Sequence, residues 1–175
     1  MRVIVEHIPA AGLPILLDPG AGWVREAAAL ALERPVHAVG GSLFLERAGK
    51  KVIVTGEIFA EADADCDRCQ ADLRLRLEGP VELSYEPEGA APVVDTEEEL
   101  ELSPEDLDVG WYDGEGLDLG AVLSEQIALW MPDRVLCESK ETTRRGSSDA
   151  VCALPDAVTR PDPRSSPFAG IRLPK

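Results

Sequence analysis

The stretch "KVIVTGEIFAEADADCDRCQADLRLRLEGPVELSYE", Lys51 to Glu86, decides what fold this chain can make. Leu73, Leu75 and Leu77 alternate with Arg74 and Arg76, and Val81, Leu83 and Tyr85 alternate with polar neighbours. A period of two belongs to strands with one wet and one dry face. Upstream, about Ser42 to Arg47 and Lys51 to Glu61 are alternating or β-branched. Between them "RAGK" is a hairpin-turn signal, because Gly49 accepts a positive φ. The stretch therefore predicts an antiparallel meander, a sheet or partial β-barrel packed on one side. Gly79-Pro80 is expected to be a turn or bulge dividing two strands.

Working outward, Arg2 to Ile8 reads as a short strand. "AAGLPILLDPGAG", Ala10 to Gly22, reads as loop because Pro14, Pro19 and its glycines interrupt it. "GWVREAAALALERP" is rich in Ala, Leu and Glu and stops at Pro35, so it predicts a helix with a wide apolar face against the sheet. Further on, Val109 to Tyr112 reads as a short strand, and Asp118 as the N-cap of a helix over about Leu119 to Leu129 that stops near Pro132. The fold class is α+β, mostly antiparallel, with two helices. Residues 1–132 are expected to form a single β-rich domain with an acidic linker at about 87–106. Residues 133–175, poor in pattern and with several prolines, are expected to be a mostly irregular, weakly ordered tail.

The 175-residue chain has a formal net charge of -16, but the charge is not evenly spread. From Leu77 through Asp133 there is no Lys or Arg, while 17 of the 33 acids lie there. Elsewhere 16 acids face all 17 basic residues, so the rest is nearly neutral. Bulk affinity for nucleic acid needs clustered Lys and Arg. The acidic middle would repel a phosphate backbone, and either stays solvated or attracts a basic protein. No apolar stretch approaches the roughly 20 residues of a membrane span, and the N-terminus has no leader pattern. The expected location is cytoplasmic, with no membrane or DNA partner and with reduced thiols.

Cys66-Asp67-Arg68-Cys69 has three readings: a tight turn between strands, half of a metal site, or a redox pair. The redox reading is the weakest, since a strand follows rather than a helix, and Asp65 and Asp67 would raise a thiol pKa. The remaining cysteines, Cys137 and Cys152, belong to no second C-x2-C, so four-cysteine ligation has poor spacing. His7 and His37 read as ordinary residues of strands or strand edges. Trp23, Trp111 and Trp130 read as core or partial core. No nucleophile elbow, P-loop or calcium loop is present, so no enzyme is expected. No cofactor is demanded, and zinc is the one candidate.

Two blocks and their order resemble the YceD-type family, the bacterial large ribosomal RNA accumulation proteins. The first is a strand with Gly56, a polar approach, and C-x-R-C at Cys66, Arg68 and Cys69. The second is "GLDLGAVLSEQIALWMP", with Asp118, Leu119, Glu125, Leu129 and Pro132. "DPR" at Asp162, Pro163 and Arg164 is a weaker echo. The resemblance implies a small, β-rich, non-enzymatic factor in ribosome biogenesis that supports accumulation of large-subunit (23S) rRNA. With the charge map it implies action through a ribosomal protein or assembly factor, and leaves direct rRNA contact open. A role for Arg68 in contacting RNA or protein rests on the resemblance alone; otherwise it is a surface ion pair. Many members carry a cysteine cluster after the helix block that would complete a zinc site. Here Cys137 is followed by "ESKETTRRGSSDAVC", so a fragile site or none is expected. The competing reading is a small zinc-binding scaffold unrelated to rRNA.

Overall fold

The computed structural model describes residues 1–90, 109–145 and Cys152. A six-stranded, mostly antiparallel sheet contains β2 (Leu13–Leu17), β3 (Val36–Ala48), β4 (Lys51–Asp65), β5 (Asp72–Pro87), β6 (Val109–Tyr112) and β8 (Thr142–Arg144). β2 to β6 lie side by side in chain order, and β8 also pairs with β5. β1 (Arg2–Ile4) and β7 (Gly116–Asp118) form a separate antiparallel pair. Helix α1 spans Gly22–Leu32 and α2 spans Leu119–Leu129. The sheet is not closed into a barrel.

The period-two pattern carries through. Val52, Val54, Ile58, Ala60, Ala62 and Ala64 of β4 are buried on the same face as Leu73, Leu75, Leu77 and Val81 of β5. Val24, Ala28 and Leu32 of α1 and Leu119, Leu123 and Ile127 of α2 join that cluster, and the two helices pack on each other. Burying each large aliphatic side chain contributes about 1.5–3 kcal/mol, so this layer is the main source of stability. On the opposite face, opposite charges meet across the strands: Glu61 with Arg76, and Asp63 with Arg74. The Arg76 guanidinium also lies over the Phe59 ring, 4.9 Å from its centroid.

Two glycines set how closely β3 and β4 approach. Gly41 and Gly56 both have φ in the left-handed half, at 139° and 152°. A Cβ on Gly56 would sit 2.1 Å from the Ser42 carbonyl oxygen, and one on Gly41 2.1 Å from that of Glu57. Gly49 makes the β3–β4 turn with φ 68°, as its sequence context predicts.

Three local expectations change. Leu13–Leu17, read as loop, forms edge strand β2. Pro14 fits there, since an edge strand has one side without a ladder. Leu16 is 78% exposed on the outer face. The N-terminal strand stops at Ile4, and Val5–His7 is a 3-10 turn with His7 exposed. Finally, Gly79-Pro80 does not divide the chain: β5 runs through both with unbroken pairing to β4. The Arg76 N–H points outward to Glu141, and Pro80 shares its parity, so the missing proline N–H costs no bond to β4. The Trp130 indole fills the space left at Gly79, where a Cβ would lie 3.2 Å from it.

Asp118 caps α2, accepting from the Gly120 N–H at 2.9 Å and pairing with the N-terminal amine at 3.3 Å. Most of the acidic linker, the 146–151 segment and the residues after Cys152, with Asp162, Pro163 and Arg164, lie outside the described residues. Residues 133–145 of the tail dock on β5 through β8. Among the described residues no helix is long and apolar enough to cross a membrane.

Candidate metal centre

Cys66 lies just past the end of β4 and is fully buried. Its N–H donates to the Ala71 carbonyl at 2.9 Å, and its carbonyl accepts from the Gln70 N–H at 2.9 Å. Gln70 takes a left-handed φ of 58° to close this knuckle into β5. The turn reading of Cys66 to Cys69 and the ligand reading are thus compatible, because the turn puts both sulfurs on one side.

The knuckle is clasped to a distant segment. The Asp67 N–H donates to the Val135 carbonyl at 2.8 Å, and the Val135 N–H donates to Asp67 Oδ2 at 2.7 Å. Arg68 reaches Glu138 at 3.1 Å. The clasp delivers Cys137 to the knuckle. Thr142 Oγ1, bonded to the carbonyls of Leu136 and Ser139 at 2.5 and 3.0 Å, pins the turn that follows.

All four sulfurs then meet. Cys69 Sγ lies 3.4 Å from Cys137 Sγ, and Cys152 Sγ lies 3.8 Å from both Cys66 Sγ and Cys69 Sγ. All four fall within 4.8 Å of one another. A tetrahedral zinc with Zn–S bonds of about 2.3 Å has S···S edges of about 3.8 Å. The cysteines are free thiols, and these separations are far above the roughly 2.05 Å of a disulfide. The set can hold one zinc ion, whatever the spacing in sequence.

The electrostatics favour thiolates in the knuckle. Burial pushes the Cys66 thiol up, but the backbone N–H groups of Cys69, Arg68 and Cys137 aim at it and bring it down to about 6. The Ala71 N–H likewise lowers Cys69. Burial raises Cys137 against the pull of Arg144, and burial with three neighbouring thiols pushes Cys152 up to about 12. Arg144 of β8 directs Nε and Nη2 at Cys137 Sγ, 3.3 and 3.2 Å away, and Nη2 at Cys69 Sγ, 3.5 Å away. Sequence reasoning missed Arg144, since "TTRRG" has no period and its register on β5 comes only from β8.

A second cluster was also missed. His37 Nε2 lies 2.6 Å from Asp63, which also meets Arg74 and Arg145. The His37 bond first, then the arginines, hold the Asp63 carboxyl below its ordinary value against burial.

The remaining motif residues serve different ends. Gly56 permits the β3–β4 contact, Leu119 is core, Asp118 caps, and Pro132 follows the end of α2. Glu125 and Leu129 line a cleft of about 730 Å³ with Leu83, Tyr85, Val109 and Val122. Leu129 is 70% exposed there. Burial, then the Glu125 charge, pushes the Tyr85 hydroxyl up to about 12. Neither Glu125 nor Leu129 belongs to the sulfur cluster.

Sheet, helix pair and sulfur cluster define an α+β protein in which the Cys66–Cys69 knuckle, Cys137 and Cys152 close on one potential metal position. The model of the family YceD, large ribosomal RNA subunit accumulation protein, matches residues 54–172, and the chain belongs to that family. No curated protein and no solved structure matched. The family places the chain in ribosome biogenesis and 23S rRNA accumulation, and it is named for that role rather than for a catalysed reaction.

Proposed function

We propose that this chain is a non-enzymatic cytoplasmic factor that supports synthesis, processing or stability of 23S rRNA through a protein partner. The family match carries this reading. The partner is inferred from charge. The segment between Leu77 and Asp133, without a single Lys or Arg, suits a basic ribosomal protein or assembly factor better than a phosphate backbone. The cysteine cluster is read as a structural zinc centre that joins the 133–145 segment and Cys152 to the sheet. Four protein ligands leave no open position for a reacting water, which favours structure over catalysis.

Depletion of the protein in its own host tests the function. The expected result is a selective fall in large-subunit rRNA relative to small-subunit rRNA, with fewer large subunits on a gradient. An unchanged ratio would overturn it and favour a zinc scaffold unrelated to rRNA. Removing the acidic segment Glu86 to Asp108 should abolish capture of the partner; unchanged binding would refute the partner assignment.

A further inference from the structure

We propose that Arg144 is the outer-sphere donor of the metal centre, and that through it the bound metal fixes β8 on the sheet. The inference rests on the zinc reading of the four cysteines.

A divalent ion with four thiolates carries a net charge of about -2, and at a partly buried site that charge must be met by donors. Cys66 is met by the backbone N–H groups of Cys69 and Arg68 in its own knuckle and of Cys137. Cys137 and Cys69 are bridged by one guanidinium. Only a planar fork places two nitrogens on one sulfur and shares one of them with a second, so lysine cannot reproduce the contact. Such outer-sphere partners orient ligands and tune affinity.

The position of Arg144 makes the contact mechanical as well as electrostatic. β8 is three residues long and, among the described residues, pairs only with Leu73 to Leu75 of β5. The next residue, Arg145, donates its N–H to the Asp72 carbonyl at 3.0 Å and turns its guanidinium to Asp63 on the outer face. Adjacent arginines thus grip opposite sides of the sheet, one through sulfur and one through a carboxylate. Without metal the four sulfurs are no longer tied to one point, and the short β8 ladder loses the grip that Arg144 takes on them.

The test compares the full-length wild type with Arg144→Met, Arg144→Lys and Arg145→Gln. Zinc affinity is measured by competition with a chromophoric chelator, the thiolate environment by the cobalt(II) charge-transfer spectrum, and strand order by hydrogen exchange of β8 amides. We expect Arg144→Met to bind zinc about 10- to 100-fold more weakly, with Arg144→Lys in between. Arg145→Gln should stay within about twofold of wild type. β8 amides should be protected in zinc-loaded wild type, and exposed after chelation or in Arg144→Met. Wild-type affinity in Arg144→Met with β8 still protected would overturn the proposal. An equal loss in Arg145→Gln would reduce Arg144 to general positive charge and overturn it too. A wild type that takes up neither zinc nor cobalt would refute the metal-centre reading itself, which is a distinguishable failure.

Discussion

From Val52 to Leu77, β4 and β5 are joined by continuous antiparallel pairing and by one buried row of aliphatic side chains on each strand. Past Ala64 the same two strands run out of large apolar residues. There four sulfurs meet, and the chain is held by the Asp67–Val135 clasp and by polar contacts of Asp63 with His37, Arg74 and Arg145. The centre draws on a strand pair close in sequence and on the hydrophobic effect, which is non-directional and tolerant. The cysteine end draws on segments about 70 residues apart, and on directional contacts that fail when one member is removed. The two ends of one sheet should therefore respond differently to the same insult.

The largest expected effect lies at the cysteine end. Cys66→Ser should abolish stoichiometric zinc and cost about 4 kcal/mol in urea unfolding. Far-ultraviolet circular dichroism in water should keep the sheet signal, since the centre holds itself together. Zinc content equal to wild type would break the comparison at its root. Next comes a lesion at the centre. Gly56→Ala forces a Cβ against the Ser42 carbonyl and should cost about 3 kcal/mol without changing metal content. A cost below about 0.5 kcal/mol would mean that the β3–β4 approach is looser than the structure has it.

The smallest effect separates the ion pairs from the sulfurs. Asp63 has a folded pKa below its ordinary value of about 3.9, so its contribution is present above that value. It is lost as pH falls through the lower folded value. Asp63→Asn should therefore flatten the fall in thermal midpoint below about pH 4, and lower the midpoint near neutrality. The same acid slope as wild type would show that His37, Arg74 and Arg145 do not act through this carboxylate.

Reading the sequence worked where local pattern and tertiary demand coincide. The leucines at 73, 75 and 77 announce their face, Gly49 its turn, Pro35 the end of α1 and Asp118 the start of α2. It failed at Pro14 and at Gly79-Pro80, where breaker residues sit inside strands. The reason is edge geometry: a proline on an open edge loses no ladder bond. The hole at Gly79 is filled by Trp130, which lies on a different element. Neither fact is local.

The candidate site divides the same way. The sequence by itself determined the C-x2-C knuckle, the acidic middle and the motif residues, because each is a statement about neighbours along the chain. Only the tertiary structure decided that Cys137 and Cys152 join Cys66 and Cys69, and that Arg144 caps two of the sulfurs. A metal position is set by distances between atoms in space, which spacing along a chain constrains only when the intervening segment is short. Here some 68 residues separate Cys69 from Cys137, and a backbone clasp at Asp67 and Val135 brings them within 3.4 Å.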